Sequence, residues 1–165
     1  MIVENTLHYM KQHALRLATA ESCTAGRIVA LLAEMPGSGT LVECGYVVYS
    51  PEAKQRLLGV SARTIEQFNL TSVEVAREMV TGALRDSPAT VAIATTGLCG
   101  TEDVDGIPAG TVCFAWGFVV EDRVSLFSRR ERFFGDREDM QHNAALYALK
   151  HVPIFHTRAL AGETE

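Results

Sequence analysis

The run TVAIATTG, Thr90 to Gly97, limits the fold more than any other stretch of the chain. It is apolar without alternation and ends at a glycine, the pattern of a central strand covered on both faces. Such a strand needs helices above and below it, and the flanking sequence supplies them. Val3, Leu7, Met10 and Ala14 recur at helical spacing across Val3 to Leu15, and Leu17 to Ala20 reads as a short buried strand. A helix is expected from the Ser22/Thr24 start signal to Pro36-Gly37. LVECGYVVYS, Leu41 to Ser50, is rich in β-formers, with Gly45 marking a bulge or a close approach. Pro51 to Gly59 has the proline-first, glycine-last form of a short helix, and SARTIEQF forms another. Ser72 to Arg85 is longer, carrying Val73, Ala76, Val80 and Leu84 on one stripe. GTVCFAWGFVV and RVSLFSRRERFF read as two strands joined by a turn at Glu121-Asp122. A last helix is expected from about Asp136 to Lys150, and the residues beyond Pro153 as a frayed tail. Helices alternating with strands early, followed by an antiparallel pair, imply one α/β domain of 165 residues, a three-layer α/β/α sandwich with a mixed β-sheet.

Composition narrows the function. A net charge of -5 argues against a nonspecific nucleic-acid binder, which needs a concentrated basic surface to displace counterions. Cys23, Cys44, Cys99 and Cys113 are scattered and never form C-x-x-C, so neither a zinc site nor a disulfide framework is indicated, and free thiols suit a reducing cytoplasm. The N-terminal segment carries Glu4, Lys11, Gln12 and His13 through its apolar pattern, unlike a signal peptide. No apolar run approaches the roughly 20 residues that cross a bilayer.

The candidate chemistry centres on ATAESCTAG. Ser22 lies where a strand turns into a helix, so its hydroxyl either caps that helix or points into a crevice at the positive end of the dipole. Cys23 and Thr24 share the ambiguity, since a thiolate there is also stabilised by a helix N-terminus. A serine nucleophile needs a base. His8, His13 and His142 fall on helices and His151 and His156 in the expected tail, which leaves lysine. Lys11 and Lys150 sit on terminal helices, whereas Lys54 in YSPEAK follows the second strand directly, with Tyr49 at the strand end, where its phenol would relay a proton or hold the amine. Burial lowers a lysine's pKa and frees its lone pair. The alternative for Lys54 is a solvated helix residue.

TTGLCGTEDVDGIPAG, Thr95 to Gly110, has the glycines of a ligand-cradling loop, but Glu102, Asp103 and Asp105 make its middle acidic and ill suited to gripping a phosphate directly. It lacks a calcium signature, and no metal or other cofactor is expected. In FFGDRED, Arg137 stands at a helix start, where a cation is unfavourable unless it faces an anion or pairs with Asp136 or Glu138.

Taken together, AESCTAG, PGSG, the block from Gly45 to Val60, TTG, PAGTV and FFGDRE resemble the CinA C-terminal domain family, the nicotinamide mononucleotide deamidases, over about Leu17 to Leu149. The resemblance implies an amidohydrolase that takes a small-molecule nucleotide, with Ser22 as nucleophile, Lys54 as base, Tyr49 as supporting hydroxyl, Thr96 and Arg137 placing substrate, and self-association into a homo-oligomer. Cys23, Thr24 and Gly97 would lie against the substrate. Ala25 stands where the family has a second glycine, which a helical backbone would tolerate. GLCGTEDVDG replaces the family's proline and double-glycine loop, and Gln141 and His142 replace basic residues. A noncatalytic nucleotide-binding or regulatory domain, an amidase for a related amide, and a Cys23-dependent amidase are the other readings.

Overall fold

In the computed structural model, which describes residues 1–165, the elements in chain order are α1 (Ile2–Gln12), β1 (Leu17–Glu21), α2 (Arg27–Ala33), a 3-10 turn at Ser38–Thr40, β2 (Val42–Val47), α3 (Pro51–Leu58), α4 (Ala62–Phe68), α5 (Val73–Asp86), β3 (Val91–Gly97), β4 (Thr111–Val120), β5 (Arg123–Arg132) and α6 (Arg137–Leu160). The strands form one sheet in the order β2-β1-β3-β4-β5. β1 runs parallel to β2 and β3, and β4 is antiparallel to β3 and β5. The apolar run is therefore the middle strand of a mixed sheet. Its hairpin neighbour turns at Glu121 and Asp122, both at positive φ, the backbone that matches a tight turn to the twist of its strands.

Side-chain size sorts across the two faces. Leu17, Val91, Ile93, Phe114, Trp116 and Phe118 enter the larger core with α1, α2 and α6. Ala18, Ala92, Ala94 and Ala115 face α5, whose own Ala76, Val80 and Ala83 complete a thinner core. Small residues let this second layer sit close: a Cβ on Gly82 of α5 would overlap the carbonyl oxygen of Leu58. No helix is long and apolar enough to cross a membrane. The four cysteines are free.

The C-terminal segment departs from the sequence expectation of a frayed tail beyond Pro153. α6 continues through Pro153 to Leu160, with Phe155, His156 and Ala159 buried. A proline inside a helix strands the carbonyl four residues back. Here that carbonyl belongs to Leu149, and the Thr6 hydroxyl from α1 lies 3.0 Å from it, shared with the carbonyl of Ile2 at 2.9 Å. The residues after the helix are also held: the Glu165 N–H donates to Leu126 O on β5, and Arg129 and Arg158 pair with the Glu165 side chain. Thr6→Val is expected to cost about 1–2 kcal/mol, because a buried carbonyl loses its donor, read as a lower denaturant midpoint with unchanged slope.

Candidate active site

The turn after β1 decides what Ser22 does. The N–H of Ser22 donates to Thr95 O at 3.0 Å, extending the β1 to β3 ladder by one residue, and the chain then turns through Ala25 N–H to Ser22 O and Arg27 N–H to Thr24 O. α2 begins only at Arg27, later than the Ser22/Thr24 signal suggests, and its N-cap, Gly26, contributes no side chain. The capping acceptor comes from Glu21, which is wholly buried. Its Oε1 accepts from Ile28 N–H at 3.0 Å and from the Thr24 hydroxyl at 2.6 Å, and its Oε2 accepts from Val29 N–H at 3.2 Å. Of the two readings of Ser22, the helix cap is thus excluded. Thr24 is held within the turn, with its hydroxyl also 2.8 Å from that of Thr95.

Ala25 sits at φ 51, so the backbone where the family form has glycine is left-handed and not the helical conformation expected to tolerate alanine. Its Cβ strains this turn. Ala25→Gly is expected to raise stability by about 0.5–1 kcal/mol, measured as an increase in Tm.

Lys54 reaches Ser22 from the far side. Ser50 caps α3 by accepting from Ala53 N–H, Pro51 takes the first turn, and Lys54 follows on that turn, as the sequence suggests. The side chain is not solvated: Lys54 is 1% exposed and Ser22 is 6% exposed. Lys54 Nζ lies 2.9 Å from Ser22 Oγ, 2.8 Å from Val48 O and 3.0 Å from Tyr49 O. No carboxylate pairs with it, and burial lowers its pKa from the ordinary lysine value. It is the carbonyl of Tyr49, not the phenol, that holds the amine. The phenol is exposed on the wall of an open cleft.

That cleft has a volume of about 410 Å³ and is lined by Cys23, Tyr49, Gly97, Cys99, Glu102 and Arg137 among others. Gly97 is required there because a Cβ would overlap the carbonyl oxygen of Thr111 on β4. Thr96 points elsewhere: its hydroxyl donates to Leu70 O at 2.8 Å and ties β3 to the segment before α5. Arg137 opens α6, whose N-terminus is closed by the Asp136 and Asp139 capping box. Its guanidinium makes no ion pair with Asp136, Glu138 or any other carboxylate.

The thiols behave differently from the sequence expectation of a stabilised thiolate at Cys23. A hydrogen bond to Cys99, reinforced by burial, pushes the Cys23 thiol well above its usual range, while the same bond and the nearby Arg137 pull Cys99 down. The N–H groups of Cys23, Thr24 and Gly26 donate to no backbone carbonyl and to no other residue's side chain. Two positioning residues escaped the sequence reading. Glu21 stands in AESCTAG without any sign that it is a cap, and Gln141, which in the sequence only replaces a basic residue, donates its side-chain amide to Cys23 O at 3.0 Å.

Residues 1–154 match the CinA C-terminal domain. The chain belongs to the CinA C-terminal domain family. This CinA-family chain is 38% identical over 142 residues to the nicotinamide-nucleotide amidohydrolase PncC of Pseudomonas putida, covering 86% of each chain. It is 40% identical to a CinA-like protein of Colwellia psychrerythraea across 72% of its own length, yet spans only 28% of that longer protein. The crystal structure of a CinA superfamily protein from Escherichia coli superposes with a TM-score of 0.86 at 33% identity, covering 93% of this CinA-family chain and 88% of that one.

Proposed function

We propose that this chain hydrolyses the carboxamide of nicotinamide mononucleotide to nicotinic acid mononucleotide and ammonia, through an acyl-enzyme on Ser22. The observation that carries the reading is the 2.9 Å approach of Lys54 Nζ to Ser22 Oγ in a buried setting without a carboxylate. A neutral amine has two N–H groups and one lone pair. With the carbonyls of Val48 and Tyr49 taking the N–H groups, the lone pair is left for the Ser22 proton.

In this mechanism Lys54 accepts that proton as Oγ attacks the carboxamide carbon. The oxyanion is received by the free N–H groups of Cys23 and Thr24, which Gln141 helps to hold by fixing the Cys23 carbonyl. The proton on Lys54 passes to the leaving nitrogen, so that ammonia departs and the C–N bond breaks. A water then gives a proton to Lys54 and attacks the ester, releasing the acid and restoring Ser22. Arg137 offers an unpaired cation to the 5'-phosphate. Tyr49 lines the substrate's path and acts on Lys54 through its carbonyl.

Ammonia release from nicotinamide mononucleotide by the purified protein tests the reading. It should vanish in Ser22→Ala and persist in Cys23→Ser and in EDTA. Saturable nucleotide binding without turnover would instead make this a noncatalytic regulatory domain. A dependence on Cys23 is disfavoured by the raised pKa of its thiol.

A further inference from the structure

The acidic loop that replaces the family's glycine-rich sequence is not uniformly acidic toward the cleft. Asp103 accepts from the Ala109 N–H at 2.8 Å, and Asp105 accepts from the Asn69 side-chain amide at 3.1 Å. Both carboxylates are committed to holding the loop. Glu102 has no hydrogen bond or ion pair within the protein and lines the cleft. Arg137 lines the same cleft, also unpaired, and the two opposite charges do not neutralise each other. A cleft bearing separate, unpaired charges of opposite sign is matched by a ligand that carries both.

We propose that Glu102 is a specificity-determining residue that selects a cationic heteroaromatic ring, so that the cleft prefers zwitterionic substrates joining a pyridinium to a phosphate. The inference rests on the nicotinamide mononucleotide reading above. The carboxylate of Glu102 faces the ring's positive charge and repels the phosphate, which goes to Arg137, and the two charges together orient the substrate in the cleft. Negative charge in this loop thus sorts ligands by the charge of the ring.

Calorimetric binding in the Ser22→Ala background provides the test, with two probes that share the carboxamide, ribose and phosphate: nicotinamide mononucleotide, whose ring is cationic, and its reduced dihydropyridine form, whose ring is neutral. The cationic form is expected to bind about fivefold more tightly, as for a partly exposed charge pair. Glu102→Gln should remove this preference, bringing the ratio of the two affinities to about one, whereas Arg137→Gln should weaken both forms and leave the ratio unchanged. Equal binding of the two probes with Glu102 present, or an unchanged preference in Glu102→Gln, overturns the proposal. Ammonia release by the unsubstituted protein is measured in parallel. A ring-charge preference without ammonia release would sink the hydrolase reading and leave the selectivity standing, release without the preference would do the reverse, and failure of both probes to bind would overturn both.

Discussion

Lys54→Met is expected to lower the rate of ammonia release by roughly 10²- to 10⁴-fold, the range for loss of a general base. Lys54→Arg should do no better, because a guanidinium keeps the positive charge but cannot give up its proton near neutral pH. The pair of variants separates a base from a mere cation beside Ser22. The pH profile adds a sign. Burial lowers the Lys54 pKa, and only the neutral amine can accept the Ser22 proton, so kcat/KM should rise with pH through the lowered value and level off below the ordinary lysine value of 10.5. A rate that stays flat as the pH falls, or one that survives Lys54→Met, would remove Lys54 from the mechanism. Stability follows the same direction. Between the lowered folded pKa and 10.5 the unfolded chain binds more protons than the folded one, so folding gains stability as pH rises through that window and loses it as pH falls.

The sequence showed most where one local rule had no competitor. TVAIATTG has a single structural meaning, and Pro51 with Gly59 brackets α3, which carries Lys54 just after β2. It misled where two rules met. Ser22 and Thr24 look like a helix start, yet the cap is supplied by a glutamate that reads as part of the preceding strand. Pro153 looks like a stop, and it is one unless a hydroxyl distant in sequence satisfies the stranded carbonyl, as Thr6 does. Composition makes the loop acidic and does not reveal that Asp103 and Asp105 accept hydrogen bonds from Ala109 and Asn69, so that of its three acids only Glu102 lines the cleft. Tyr49 and Thr96 carry the same lesson: both are where the motifs indicate, but one acts on Lys54 through its backbone and the other bonds away from the cleft. Long-range partners are what the linear pattern omits.

Glu21→Gln is expected to cost about 3 kcal/mol of stability although it preserves the shape of the side chain. The two carboxylate oxygens accept three hydrogen bonds, from the Thr24 hydroxyl and the N–H groups of Ile28 and Val29, in a site closed to water. Glutamine keeps one acceptor and turns the other into an NH₂, so a donor is set against a donor at the start of α2. The removed charge was also favourable at the positive end of that helix. Losing charge-assisted bonds and leaving buried donors unpaired accounts for the size of the effect. The denaturant midpoint should fall with little change in slope. Activity should fall further than the unfolded fraction explains, because Glu21 holds the turn that presents Ser22 Oγ to Lys54 and exposes the free N–H groups of Cys23 and Thr24. If Glu21→Gln loses stability but its folded fraction keeps full kcat, the cap serves the fold alone. A parallel loss of kcat with KM little changed identifies Glu21 as the residue that positions the nucleophile.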